Sequence, residues 1–309
     1  MMNKFLKSAV TAAVLVSSYL TASYAASGSS GAAFLKIAPG AAPVGMGGAH
    51  TAIAGDINAL YYNLAGISSI RETQIGASHT EWVSDIRYDY AAGAFKINKG
   101  VLGISATLLT MGQMEGRGED SQETEDFEAS DFAFQASYSR GMYGGSIKLI
   151  RQSIADETAL GVAFDAGVNK SLPQISDNLN LGVAVRNIGP KVKFMSEGYS
   201  LPATITAGLG YGYGVMLFAV DTGYEPVEEK FTVSIGAQWR PVEFLSLRGG
   251  YFLDLLQSAA GSGSEELSRP GKGLGGGVGL NISNYSMNYA VVPYSDLGNT
   301  QRISIIGMF

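Results

Sequence analysis

From Thr73 onward, apolar and polar residues alternate with a period of two, in segments of about ten residues. That is the signature of strands with one apolar face. In "SDFAFQASYSR", Phe132, Phe134, Ala136 and Tyr138 fall on one face and Asp131, Ala133, Gln135 and Ser137 on the other. In "FTVSIGAQWR", Phe231, Val233, Ile235, Ala237 and Trp239 oppose Thr232, Ser234, Gly236, Gln238 and Arg240. The pattern predicts fourteen strands, near 72–82, 86–96, 100–111, 130–140, 142–153, 158–170, 179–188, 202–212, 214–222, 231–240, 243–254, 272–281, 284–292 and 299–309.

A soluble sandwich alternates in the same way, so the strand count and the connections decide. Fourteen is even, as a closed bacterial membrane barrel requires. Connections after even-numbered strands are mostly short ("INKG", "GM", "GYG", "RPV", "ISN"), with "SLPQISDN" the exception. Those after odd-numbered strands include "GQMEGRGEDSQETEDFEAS", "GPKVKFMSEGYSL" and "LQSAAGSGSEELSRPG". Short turns on one rim and long polar loops on the other are the outer-membrane pattern. The final "NTQRISIIGMF" places Phe309 in phase with Gly307, Ile305 and Ile303. This is expected of a last strand paired across a seam, since an open edge in lipid leaves backbone groups unsatisfied. The terminal aromatic also resembles the signal that bacterial barrel-assembly machinery reads.

Glycine changes the picture of the interior. In "GKGLGGGVGLN", Leu274, Val278 and Leu280 share a face, and Gly273, Gly275, Gly277 and Gly279 make the other. A lumen face without side chains leaves room for something lying against it. Gly271, Gly273 and Gly276 also spell GxGxxG, but no helix follows, so no dinucleotide site is expected. Residues 26–71 supply the expected occupant: they are rich in small apolar residues, too apolar to stay solvated, and carry one helical piece from Asp56 to Gly66. The division expected is thus 1–25, 26–71 as a lumenal plug, and 72–309 as the barrel. Lumen-facing charges are expected at Lys148, Asp165, Arg186, Arg248 and Arg302, because each would cost about 2–4 kcal/mol facing lipid at the midplane. Tyr88, Tyr138, Trp239, Tyr251 and Tyr289 are expected in the aromatic girdles.

Residues 1–25 read as a secretory signal: Lys4 and Lys7 precede the short apolar "SAVTAAVLVSSYL", and Ser23 with Ala25 fits a cleavage site. Removal of those two lysines takes the formal charge from −6 to −8. An acidic exported chain lacks the basic footprint of a nucleic-acid binder. With no cysteine, the chain has neither disulfides nor thiolate metal sites. His50 and His79 have no ligand spacing, so no metal or cofactor is expected. Ser78 and His79 are adjacent on a strand and face opposite ways, so they cannot share a proton, and no enzymatic activity is expected.

The stretch "GMGGAHTAIAGDINALYYNLAGIS" resembles the N-terminal motif of the PorV/PorQ family, relatives of FadL-type outer-membrane barrels. Asn63-Leu64-Ala65-Gly66 stands where the family usually has Asn-Pro-Ala-Gly. "SHTEWVSDIRYDYAAGAF" (78–95), "KLIRQSIAD" (148–156), "NIGPKVKF" (187–194) and "LPATITAGLGY" (201–211) follow in the family's order. The resemblance implies an all-β transmembrane antiparallel barrel of fourteen strands, with an N-terminal segment and its short helix in the lumen. It also implies a part in type IX secretion, carrying secreted proteins by their C-terminal sorting domains to other secretion-system subunits.

Two functional expectations follow. As a secretion component in contact with outer-membrane lipid, the chain would bind cargo through extracellular loops. The candidates are Glu119, Asp120, Glu123, Glu125 and Asp126 in the acidic run 112–130, and Lys191 and Lys193 in 189–201. As a FadL-like carrier of hydrophobic small molecules, it would use the plug, through Tyr61, Tyr62 and Asn63, against the glycine face.

Overall fold

The computed structural model describes residues 30–81, 86–117, 123–194, 196–254, 273–293 and 299–309. The predicted signal segment lies outside the described residues. Fourteen strands close into one antiparallel barrel: β1 (Gln74–Glu81), β2 (Arg87–Ile97), β3 (Gly100–Arg117), β4 (Glu123–Arg140), β5 (Tyr143–Ile154), β6 (Glu157–Ser171), β7 (Leu179–Ile188), β10 (Thr204–Tyr213), β11 (Met216–Glu225), β12 (Lys230–Val242), β13 (Leu245–Asp254), β14 (Leu274–Ile282), β15 (Tyr285–Pro293) and β16 (Asn299–Met308). Between β7 and β10, β8 (Val192–Phe194) and β9 (Glu197–Tyr199) make a separate hairpin.

The burial pattern is inside out. Phe132, Phe134, Ile147, Leu149, Leu160, Phe164 and Ile235 are exposed, whereas Gln135, Ser137, Lys148 and Asp165 on the same strands are buried. Only a hydrocarbon solvent makes that arrangement favourable, so the barrel is a membrane-spanning one. It closes along β1 and β16, from Gln74 opposite Met308 to Glu81 opposite Gln301. The seam ends in a reciprocal backbone pair: Thr73 N–H donates to Phe309 O at 2.9 Å, and Phe309 N–H to Thr73 O at 2.8 Å. The Phe309 ring lies across Gly307, where a Cβ would come within 2.8 Å of it, and meets Tyr285 edge-on with centroids 6.2 Å apart. An aromatic laid over a strand glycine restores the apolar surface that glycine omits.

Two strands differ from expectation. β3 and β4 are 18 residues each, against the 9–11 or so that a membrane strand needs. β2 stops pairing with β3 at Thr110, and β5 with β4 at Ala129. Beyond those points β3 and β4 pair with each other, with register shifts near Met114. Much of the run 112–130, expected as a loop, is therefore a two-stranded acidic arm standing roughly 20 Å past the rim. Backbone pairing outside the membrane needs no apolar face, so the alternation rule does not see it.

Residues 30–71 fill the lumen. The segment begins at the long-loop end, where Gly31 N–H donates to Ser200 O at 2.9 Å and Ala32 N–H to Gln152 Oε1 at 3.0 Å. It reaches the short-turn end at Ser68, whose hydroxyl donates to Gly141 O at 2.6 Å. It is built from 3₁₀ turns at Ala33–Lys36 and Leu64–Ser69 and helical turns at Ala41–Gly45 and Ala59–Tyr62. The expected helix from Asp56 to Gly66 is broken at Asn63, which is extended (φ −160°, ψ 103°). Phe34, Leu35, Leu60, Leu64 and Ile67 pack with Tyr88, Tyr90, Val101, Ala133 and Ile150 of the wall into one apolar core.

Candidate functional site: the plug and the lumen wall

The wall accepts the plug by removing its own side chains. A Cβ at Gly236 or Gly250 would overlap the Met46 backbone, and one at Gly182 would overlap Thr51. At Gly275 it would come 2.8 Å from Val44 O, and at Gly277 it would sit 3.4 Å from the Gly45 Cα. Of the predicted glycine face, Gly275 and Gly277 thus touch the plug directly. Gly279 faces the lumen but its neighbours are Asn288 and Arg248. Gly273 is a correction: it precedes β14 in a turn with φ +78°, and a Cβ there would strike Phe252 O. Gly182 and Gly236 stand alone in otherwise ordinary strands and Gly250 is one of a pair, so the run in β14 drew attention that belonged to several strands of the wall.

Buried polar groups of the wall fasten the plug at discrete points. Asp221 Oδ2 accepts from the backbone N–H of His50 and of Thr51, each at 2.8 Å. Arg302 Nη1 donates to Ala38 O at 3.0 Å, Ser139 Oγ to Leu64 O at 2.6 Å, and Gln135 Nε2 to Leu60 O at 3.0 Å. Asn63 is 1% exposed and works three ways. Its Nδ2 donates to Thr51 O (2.8 Å) and Val168 O (2.9 Å), and its Oδ1 accepts from Ala65 N–H (3.2 Å). Leu64 then takes the first position of the 3₁₀ turn, the one helical position where proline fits equally well. The proline that PorV/PorQ proteins usually have there would fit the same position.

A β-bulge creates the second polar feature. Between Phe164 and Ala166 the β6–β7 register slips, and Asn187 adopts φ +59°. Arg186 and Asn187 consequently both reach the interior. Lys148 Nζ pairs with Asp165 Oδ2 at 2.8 Å and donates to Asn187 Oδ1 at 2.7 Å. Asn187 N–H donates to Asp165 Oδ1 at 2.7 Å, and Asn187 Nδ2 to Pro202 O at 3.2 Å. Arg186 donates to Tyr61 O at 3.3 Å and lies over the Tyr61 ring, 4.8 Å from its centroid. Three of the stretches that carried the family resemblance meet here, through Lys148, Asn187 and Pro202. Lys148, Asp165, Arg186, Arg248 and Arg302 all face the lumen, and Arg248 bonds Gln238 (2.7 Å) and Asn288 (2.8 Å).

Tyr88 corrects its assignment to a girdle: it is 1% exposed, and its hydroxyl donates to Ile37 O at 2.8 Å. Its period-two phase belongs to the lumen face with Tyr90, but aromatic identity alone suggested the interface. Tyr61 and Tyr62 hold the plug to itself, donating to Leu35 O (3.0 Å) and Pro39 O (3.4 Å). Burial raises both phenols, so they remain neutral. His50 packs 5.1 Å from the Tyr62 ring, with no hydrogen-bond partner for either ring nitrogen. Burial lowers its pKa against the opposing pull of Asp56, 3.8 Å away.

A cavity of about 20 Å³ remains between plug and wall, lined by Leu35, Tyr61, Tyr88, Tyr90, Ser105, Thr107, Ala133, Gln135 and Lys148. At the rim above it, Lys36 forms an ion pair with Glu228, which also accepts from Ser30 Oγ at 2.9 Å. Burial would raise the Glu228 pKa, but the bonds from Lys36 and Ser30 outweigh it and hold it below the usual range.

The loop candidates lie elsewhere. Glu119 and Asp120 fall outside the described residues. Glu123, Glu125 and Asp126 are on β4, in the arm, and Asp126 is exposed. Lys191 and Lys193 are exposed on and beside β8, whose Val192 is buried where Gly161 leaves room for it. His79 is exposed and meets Asp89 at 2.7 Å on the outer surface, while Ser78 faces inward beside Gly40. They are on opposite faces, as the strand period requires.

Fold and site together define a plugged, fourteen-stranded outer-membrane barrel. Its fold is similar to that of the Ralstonia pickettii toluene transporter TbuX, with a TM-score of 0.59 over 89% of this chain and 99% of that one, at 13% identity. It is equally similar to a deletion mutant of the monoaromatic hydrocarbon channel TodX, with a TM-score of 0.58, 13% identity, and coverage of 87% and 99%. No family model matches the sequence, and no curated protein does. The fourteen-stranded barrel that the resemblance implies thus has structural counterparts, and the resemblance to PorV/PorQ rests on the quoted motifs alone.

Proposed function

We propose that the chain is a channel for small hydrophobic molecules across the outer membrane, with residues 30–71 as the element that controls passage. The observation that carries this is the lumen itself. It is closed by a segment seated on glycines and held by separate polar contacts, and a small cavity lined by three tyrosines, Leu35, Ala133 and four polar side chains lies beside that segment. A plug fastened at points rather than along a ladder can shift without opening the barrel. The similar folds of a toluene transporter and a hydrocarbon channel favour the same reading.

The test is to lock the plug. Ala41 N–H lies 3.3 Å from Ser304 Oγ, and the chain has no cysteine of its own. An A41C/S304C pair should cross-link plug to wall. Uptake of a labelled apolar compound by cells or proteoliposomes should fall on oxidation and return with reductant. Uptake indifferent to the cross-link would rule out passage controlled by the plug.

The secretion reading has its own surface, the acidic arm, which presents carboxylates well clear of the lipid. Deleting residues 112–128 should abolish co-purification of secreted proteins with C-terminal sorting domains if that reading holds, and leave uptake untouched.

A further inference from the structure

The two rims of the barrel carry opposite charge, and the charge of the short-turn rim is gathered on one side. Lys96 lies near the end of β2, Lys99 in the turn to β3, Arg140 at the end of β4 and Lys170 near the end of β6. All four are exposed, and none forms an ion pair among the described residues. No acid falls between them along this arc; the next along the rim are Glu72, ahead of β1 and beside Arg71, and Asp177, in the connection after β6. At the opposite rim Asp126, Glu128, Asp156 and Glu157 are exposed instead. Four cations on one arc repel one another, so they gain most from an anionic surface laid against them.

The strand period says which surface. Arg140 continues the outward face of β4 after Phe132, Phe134 and Tyr138, and Lys170 continues that of β6 after Leu160 and Phe164, all exposed to hydrocarbon. Between them on β5, Tyr143 is 63% exposed, opposite Arg140 on one side and Val168 on the other. These heads therefore stand at the edge of the lipid-facing band, at headgroup level, rather than in the lumen. One row deeper, Tyr138, Gly145 and Ala166 lie side by side on the same face, so the surface dips at the glycine. We propose that this arc is a docking surface for anionic phospholipid of the periplasmic leaflet, with the phosphate between Arg140 and Lys170 and an acyl chain over Gly145. It stands apart from the channel reading above, because it lies on the outer face and uses no residue of the plug or the lumen.

The experiment takes the purified full-length protein in a neutral detergent and counts, by native mass spectrometry, the lipids retained from equimolar phosphatidylglycerol and phosphatidylcholine. Each basic side chain at a membrane surface favours an anionic lipid by about fivefold, so Arg140 and Lys170 together should give a preference of about thirtyfold for phosphatidylglycerol. High salt should shrink it. R140Q/K170Q replaces exposed side chains only, so the barrel should stay heat-modifiable while the two lipids are retained alike. Arg240→Gln, on the far arc, should leave the preference intact. Equal retention by the wild type, a preference that survives R140Q/K170Q, or an equal loss in R240Q would overturn the proposal. So would binding of a poly-glutamate peptide with indifference to phosphatidylglycerol, which would assign the arc to an acidic protein segment instead.

Discussion

Asp221 should be the residue on which closure of the lumen most depends. It projects from β11 and takes no part in the strand ladder through its side chain, so its loss leaves the barrel wall intact. One oxygen accepts two backbone N–H groups of the plug, from His50 and Thr51, each at 2.8 Å, and the residue is 6% exposed. Hydrogen bonds to a buried charge contribute about 1.5–3 kcal/mol each, and truncation also strands two donors in the interior. Taking the lower figure for both bonds, Asp221→Ala should weaken docking of the plug by about 3 kcal/mol, which is roughly a hundredfold increase in the displaced population. The assay is conductance in planar bilayers, paired with limited proteolysis of residues 30–71. The variant should show frequent openings and plug cleavage where the wild type shows few, while both run as folded, heat-modifiable barrels. A D221A protein as silent and protease-resistant as wild type would refute the idea that point contacts, rather than apolar packing, hold the plug.

Enlarging the wall should act from the other side. Gly250→Val places a side chain where Met46 and Gly47 lie and should open the channel in the same assay, whereas Gly276→Ala, on the exposed face of β14, should change nothing. On the lipid face, Ile147→Arg should cost about 2–4 kcal/mol and lower the yield of folded barrel, which urea titration in liposomes measures. Closure should also weaken in acid. The His50 pKa is lowered by burial, so its contribution is complete above the unfolded value of about 6.5 and is lost as pH falls below it, which conductance of wild type against His50→Phe will show. Glu228 is held below its ordinary range, so its grip on Lys36 persists above about pH 4.3 and fails only below that, a second step absent from Glu228→Gln.

The barrel was legible in the sequence because lipid makes its demands locally. Each strand must alternate and each turn must be short on one rim, and these constraints fall within about ten residues of chain. The glycine run of β14 revealed that something lay inside, since a strand without side chains on one face has no other use in a packed interior. What it could not reveal was the register of the plug against the remaining walls. Gly182, Gly236 and Gly250 are identified only by what sits opposite them, and that depends on how the irregular chain of residues 30–71 threads the lumen.

The bulge at Asn187 makes the same point for chemistry. Strict alternation would send Asn187 to the lipid once Arg186 points inward. One residue in a left-handed conformation keeps both inside and adds an amide acceptor to the Lys148 ammonium, whose charge Asp165 already neutralises. Without that slip the Lys148–Asp165 pair would lose the residue that bridges it, through the Asn187 amide oxygen to the ammonium and the Asn187 N–H to the carboxylate. The closure of this buried network therefore turns on a backbone irregularity, the feature that residue patterns read least well. It can be tested without touching the cavity. Asn187→Val disfavours the left-handed backbone and removes the amide bonded to Lys148, so urea titration in liposomes should show a barrel less stable by about 1–3 kcal/mol, and stability equal to wild type would refute the role given to the bulge.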